Sequence, residues 1–317
     1  MQIVTLSETD SLPIAASVVS VGNFDGVHRG HDLLIKEVVT RAHREHCSSV
    51  IVTFEPHTRN VLFPNAIQPI LSTFEEKAVL IEPYGVDYLV RVPFTAAVAA
   101  MPAGEFVDNY IIGKCKARHW IMGEGHTFGK NHGGNKNFSH KSKGKNDIYI
   151  VAVPSLALND RVISSTEIRA NIVEGRIDEA VTMLGHPYLM VSRRIAGVKK
   201  GSQLGYPTLN FINLTSNKVL PPPGIYAAEV AFNGRRWKGA LYFGDCPTFE
   251  NRDRHFEFHI FDYNGEEPEE GASAGLWLHS WIREDRAFKD TTTLTASIKR
   301  DIENIKKFFS REKEQCR

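Results

Sequence analysis

Cysteine is scarce in this chain: four residues, Cys47, Cys115, Cys246 and Cys316, are scattered through 317 positions without C-x-x-C spacing. That scatter supplies neither a disulfide frame nor a zinc site, and it reads as reduced thiols in a reducing compartment. Long apolar runs are missing too, since no stretch approaches the roughly 18 residues that a membrane helix needs. The opening residues, MQIVTLSETD, contain neither a basic nor an apolar leader segment, so no signal peptide is expected and the chain is assigned to the cytoplasm. Charge of one sign is equally lacking. Lys+Arg 38 against Asp+Glu 37 leaves a net charge of +1, and no global field draws in nucleic acid or an acidic membrane surface. Internal repeats are absent, and the only biased segment is a Lys/Gly/Asn-rich loop from Lys130 to Asn146.

What is present is ordinary for a globular protein: 42% hydrophobic and 24% charged residues, in a chain long enough for two domains. Up to about residue 184 short apolar runs alternate with helical stretches. SVVSVG (17–22), SVIVTF (49–54), DYLVRV (87–92), HWIM (119–122) and DIYIVAV (147–153) read as strands. From His31 onward, Leu34, Ile35, Val38, Val39 and Ala42 share one helical face, and FEEKAVLIEPYG and EFVDNYIIGK also read as helices. This alternation predicts a parallel sheet covered by helices. After Gly185-His186-Pro187 the period becomes two. IYAAEVAF and RWKGALYFG flank Asn233-Gly234, a strong hairpin signal, and HFEFHIFDY and GLWLHSWIRE alternate in the same manner. Only LTASIKRDIENIKKFF reads as a long helix, so this half predicts an antiparallel barrel or sandwich closed by a C-terminal helix. The expected domains are 1–184 and 188–317.

The junction GNFDGVHRGH (22–31) lies where the first of these strands passes to a helix. Such turns sit at the carboxyl edge of a parallel sheet, where free N–H groups and the helix dipole favour an anion. Glycines at 22, 26 and 30 allow close approach of a ligand, and His28 and His31 project to one side if the turn is already helical. A Gly-rich turn with two surface histidines is the plain alternative. Near the end of the same half, ISSTEIR (163–169) has Ser164 three residues before Glu167, a capping-box pattern, with Arg169 one turn inside. It suits either a second phosphate cradle or simple capping with a solvated arginine.

In the second half, GVKKGSQLGYPTLNF (197–211) places glycines and lysines in one loop before a strand, suited to wrapping a polyphosphate or to standing free as a basic surface loop. Thr208 and Asn210, two apart, point to one face, and their oxygens suit Mg²⁺ carrying nucleotide phosphates. Glu257 shares a face with His255 and His259, as a solvated strand residue or a general base.

GNFDGVHRGH, TFEPH (53–57), FGK (128–130) and ISSTEIR resemble the adenylyltransferase module of the bacterial bifunctional riboflavin kinase/FMN adenylyltransferase (FAD synthetase) family. PTLN (207–210), GDCPTF (244–249), Glu257 and Arg283 resemble its riboflavin kinase module, and the motifs stand in the family's order. The resemblance implies a Rossmann-like nucleotidylyltransferase domain followed by an antiparallel β-barrel kinase domain with a C-terminal helix. It implies that His28 and His31 stabilise the transferring α-phosphate and departing pyrophosphate. Gly22, Asn23, Phe24, Asp25 and Gly26 would line the ATP site, and Ser164, Ser165, Thr166 and Arg169 would grip phosphates. In the kinase half, Gly197, Lys199, Gly201, Gly205, Thr208 and Asn210 would bind nucleotide, with Thr208 and Asn210 holding Mg²⁺ and Glu257 accepting the proton from the ribityl hydroxyl. Phe54, Pro56, Phe128 and Arg283 would contact flavin.

Implied substrates are ATP, riboflavin and FMN, with FMN and FAD as products, while nucleic acid and membrane partners are not expected and the oligomeric state stays open. The chain departs from the family pattern at Gly125 and His126, where an acidic or amide residue and an aromatic are usual. It also departs at Thr58 in place of proline, at Leu209 in place of alanine, and at the acidic GEEPEEGASAG (265–275). Two alternatives stand beside the bifunctional enzyme: a chain with one working half, or a flavin- or nucleotide-binding regulator without turnover. Lys136, Lys141, Lys143 and Lys145 read as a solvated loop, and Cys115 with His119 makes too few ligands for a metal.

Overall fold

A computed structural model of the chain describes residues 1–6, 10–130, 133–137, 148–158, 161–197, 200–244, 255–263 and 265–315. Lys141, Lys143, Lys145, Lys199, Cys246 and Cys316 lie outside the described residues. Contacts divide the chain into two compact units, Met1–Ser165 and Thr166–Arg317.

In the first unit the chain runs β1 (Gln2–Thr5), β2 (Ser17–Val21), α1 (Arg29–Arg44), β3 (Ser48–Glu55), α2 (Thr58–Leu62), α3 (Phe74–Ile81) and β4 (Tyr88–Pro93). It continues through α4 (Ala96–Ala99), α5 (Ala103–Phe106), a π-helical stretch over Val107–Lys114, β5 (Ala117–Gly123), β6 (Tyr149–Val153) and a ribbon of β7 (Ala157–Leu158) with β8 (Arg161–Val162). The sheet order is β1-β4-β3-β2-β5-β6, and every pairing is parallel. Both faces are covered, so β2 is buried at all five positions and β3 at its six inner ones, which is why these strands are rich in valine and isoleucine and do not alternate apolar with exposed polar residues. From β2 the chain passes to β3 on one side, while β5 pairs on the other, and this reversal opens a crevice at the carboxyl ends of β2 and β5. The helix expected over EFVDNYIIGK is a short α-helical turn followed by wider winding, closed by an i to i+5 bond from the Cys115 N–H to the Tyr110 carbonyl, 2.9 Å.

Two helices, α6 (Ser165–Val173) and α7 (Ile177–Leu184), lead to β9 (Tyr188–Ile195), and α7 packs on β9 and on the last strand. A short α8 (Lys200–Gln203) precedes β10 (Leu209–Asn213), β11 (Gly224–Phe232), β12 (Arg235–Gly244), β13 (His255–Ile260), β14 (Ser273–Glu284) and α9 (Thr291–Gln315). The strands close into a barrel in the order β10-β13-β12-β11-β14-β9. Asn233 and Gly234 both take left-handed φ values, 50° and 72°, the turn that matches the twist of a tight hairpin. Phe211, Leu241, Phe243, Phe256 and Phe258 fill the interior with no exposed area. On the outside, Ile305 and Phe309 of α9 pack on Ala227.

The α9 seam carries a half-buried polar pair. His279 Nε2 lies 3.3 Å from Glu229 Oε2, and the His279 ring meets Phe309 edge-on at 5.2 Å. The His279 imidazole holds the Glu229 carboxyl below its ordinary range. A carboxyl depressed in the folded state adds stability above its unfolded pKa and loses it as pH falls through the folded value. Glu229→Gln should therefore lower barrel stability by about 1 kcal/mol near neutral pH. The gap from wild type should narrow in acid, and thermal melts at both conditions check it.

Candidate active sites

The turn after β2 is strained and heavily tied. Gly26 has φ 82°, and the non-glycine residues Phe24 and Val27 are also left-handed, at 46° and 43°. That conformation costs an L-residue about 1–2 kcal/mol, and for β-branched valine it is a marked outlier. Surrounding bonds hold it in place. Asp25 Oδ1 accepts from the Leu71 and Ser72 N–H groups at 2.8 and 3.0 Å, and the Gly26 N–H donates to Ser72 Oγ at 2.8 Å. Ser165 Oγ donates to the Asp25 carbonyl at 2.9 Å, and Thr53 Oγ1 donates to the Asn23 carbonyl at 3.0 Å. Thr58, at the position where the family has proline, accepts from Asn23 Nδ2 at 2.9 Å and fixes that amide. Strain over-determined in this way clusters at functional sites.

His28 caps α1, its Nδ1 accepting from the Gly30 N–H at 3.1 Å, so the proton of the neutral ring is assigned to Nε2. His31 stacks on His28 with ring centroids 3.7 Å apart and planes 17° from parallel, and Phe24 supports it from 5.0 Å. Burial, followed by the charges of His28, Lys77 and His126, holds His31 well below the usual histidine range. Its Nδ1 is shielded from solvent and has no hydrogen-bond partner among the described residues. His126, in the loop after β5, is pushed down to about 4 by burial. Both rings are thus neutral near pH 7, able to donate a hydrogen bond without first losing a charge.

Beside them lies a cavity of about 370 Å³ whose walls include Gly22, Asn23, Phe54, Phe94, His126 and Phe128. Its size and aromatic lining suit a planar small molecule. Phe54 meets Phe94 edge-on at 5.2 Å and Trp120 backs Phe128 at 4.5 Å. Exposed Pro56, which follows a cis peptide bond, stands outside that lining. In the ISSTEIR segment, Ser165 opens α6 within the first unit, whereas Thr166 and Arg169 group with the second, where Arg169 Nη1 donates to Thr166 Oγ1 at 3.4 Å. Ser164 immediately precedes α6.

The barrel has its own cavity of about 320 Å³, lined by Thr208, Tyr242, Glu257 and Arg283 together with Gly201 and residues of α9. Asn210 lies directly opposite Glu257 in the β10–β13 ladder, so their side chains share a face. Thr208 Oγ1 donates to Glu257 Oε2 at 3.4 Å, and His255 Nε2 stands 3.5 Å from Glu257 Oε1. A Cβ on Gly197 would lie 2.1 Å from Asn210 Nδ2, so a side chain there would push that amide aside. Gly205, at φ 83°, lies in the loop between α8 and β10. Arg283 is clamped by Asp301 of α9 through bonds of 2.8 and 3.1 Å, which ties the helix to the cavity wall. The hydroxyl, amide and carboxylate oxygens gathered here form a hard donor set that fits Mg²⁺. No group of three His, Cys, Asp or Glu that could hold a metal occurs among the described residues.

Several contributors escaped the sequence reading: Lys77, buried beneath the first site, the clamp residue Asp301, and Tyr242, which donates to Asp285 at 2.9 Å. Tyr242 and Asp301 have no local motif, whereas a lysine on the apolar side of FEEKAVLI was a readable signal.

Comparison with known proteins finds a family model for each half of the chain. The FAD synthetase family model matches residues 13–167 and the riboflavin kinase model residues 184–309. A Bacillus subtilis protein named bifunctional riboflavin kinase/FMN adenylyltransferase is 32% identical, covering 93% of both chains. A Listeria monocytogenes protein of the same name is 30% identical over 96% of each. Among solved structures, one described as a macrolide-efflux protein from Streptococcus pneumoniae superposes with a TM-score of 0.81 at 26% identity, covering 94% of this chain and 97% of that one. No helix among the described residues is long and apolar enough to cross a membrane.

Proposed function

Because the chain belongs to the bifunctional riboflavin kinase/FMN adenylyltransferase family, we propose that each of its units works one step through the cavity described above. The enzyme phosphorylates riboflavin to FMN and adenylylates FMN to FAD, with ATP as donor in both steps.

In the barrel, Glu257 accepts the proton of the ribityl hydroxyl as its oxygen bonds to the γ-phosphorus, the bond to the β-phosphate oxygen breaks, and ADP leaves. A carboxylate held by Thr208 and flanked by His255 is oriented for that transfer. Thr208 and Asn210 would hold Mg²⁺, which when bound supplies charge neutralisation at phosphate oxygens. In the parallel-sheet unit an FMN phosphate oxygen bonds to the α-phosphorus of ATP and pyrophosphate leaves. No side chain need act as nucleophile, so the work is positioning and charge stabilisation. Neutral His31 and the Nε2–H of His28 donate to the oxygens on which charge grows, and the aromatic cavity beside them receives the flavin. Free thiols at Cys47 and Cys115 support a cytoplasmic setting, with burial pushing Cys115 up to about 12.

The observation that carries this reading is that each unit holds a separate cavity with its own polar set. Incubation with Mg²⁺·ATP, starting separately from riboflavin and from FMN, followed by flavin chromatography, tests it. FMN should form in the first case and FAD in the second, and a missing product removes the corresponding step.

A further inference from the structure

Lys77 is a buried lysine, 2% exposed, on a helix beneath the strained turn, and the mechanism above gives it no task. Its Nζ donates to Thr53 Oγ1 at 3.3 Å, and the same hydroxyl donates onward to the Asn23 carbonyl. Thr53 is the only hydrogen-bond partner of that ammonium among the described residues, although it has three N–H groups to offer. The carboxylates that face it are Asp25 from the turn, Glu55 from β3, and Glu76 and Glu75 from α3 itself, and no ion pair with any of them closes. Burying a charge without a paired counterion carries a large desolvation penalty, and such groups persist where the charge is used. Burial lowers the Lys77 pKa, Asp25 and Glu55 act against that shift, and the charge that remains is felt at His31, which also faces His28 and His126.

We propose that Lys77 is a positioning residue for adenylyl transfer: a fixed positive charge under the turn that offsets the charge of the reacting phosphates. The inference rests on the adenylyltransferase reading of this unit. It differs from a purely structural role, in which Lys77 would serve only to hold Thr53 and, through it, the Asn23 carbonyl.

Three substitutions separate the two roles. Lys77→Gln keeps a donor for Thr53 but removes the charge, Lys77→Met removes both, and Lys77→Arg keeps the charge. FAD formation from FMN should fall roughly tenfold to a hundredfold in Lys77→Gln and equally in Lys77→Met, mostly in kcat. Lys77→Arg should stay within a few-fold of wild type. The His31 ring resonance should titrate at higher pH in both neutral variants than in wild type, because a neighbouring positive charge no longer opposes protonation. Riboflavin phosphorylation, performed by the other unit, should be unchanged, and a near-UV circular dichroism spectrum matching wild type serves as the folding control for each variant. A Lys77→Gln enzyme at wild-type rate, an unmoved His31 titration, or a Lys77→Arg enzyme as impaired as Lys77→Met would overturn the proposal. If the wild-type protein itself made no FAD from FMN, the adenylyltransferase reading would fail instead.

Discussion

Replacing His31 with alanine should slow FAD formation from FMN by roughly 10²–10³-fold, the cost of removing one preorganised donor from a developing phosphate charge. The expectation follows from the state of the ring rather than from its place in a motif. His31 is stacked on His28, supported by Phe24, and held neutral by burial and by neighbouring charge. A donor fixed in this way needs no reorganisation when charge builds on the phosphates, whereas water admitted by alanine would have to reorganise. Backbone damage should be small, because the turn is tied through Asp25, Ser72 and Ser165 and none of those bonds uses His31. Riboflavin phosphorylation should continue at the wild-type rate. An unchanged rate of FAD formation would remove His31 from the reaction.

Glu257→Gln should reduce FMN formation by roughly 10²–10⁴-fold, the usual contribution of a general base. Glutamine keeps the shape and one acceptor oxygen for Thr208, so the cavity and the register of β13 with β10 should survive. What it loses is the ability to take a proton. The loss should therefore appear in kcat, with riboflavin affinity little changed, and FMN-to-FAD conversion should persist. A variant with substantial kinase activity would mean that another group takes the proton, and loss of both activities would mean that the two sites are not independent.

Period and punctuation made most of the architecture readable. The run SVVSVG and its successors read as strands of a sheet covered by helices, and Asn233-Gly234 marked its hairpin by demanding two left-handed residues. The tight turn at 22–31 was legible because glycine and histidine spacing reports local backbone. Phe24 and Val27 in left-handed conformations were not, since neither residue type announces that geometry and only the surrounding bonds impose it. The wide winding at 107–114 was hidden for a related reason, because helical periodicity does not distinguish i to i+4 from i to i+5 bonding over two turns.

Long-range partners were the least legible. Arg283 stood out in the sequence as a flavin contact, yet its bidentate partner Asp301 lies on α9, set beside it only by closure of the barrel. Thr58 shows the converse: it departs from the family pattern, and folding gives it a bond to Asn23.

The central claim is that two separate sites on one chain act in series through FMN. Mixing the His31→Ala and Glu257→Gln proteins with riboflavin and Mg²⁺·ATP tests it most directly. Neither protein alone should carry riboflavin to FAD at more than a trace. Together they should, because the first makes FMN and the second consumes it. FMN that accumulates in the mixture without yielding FAD would contradict the account.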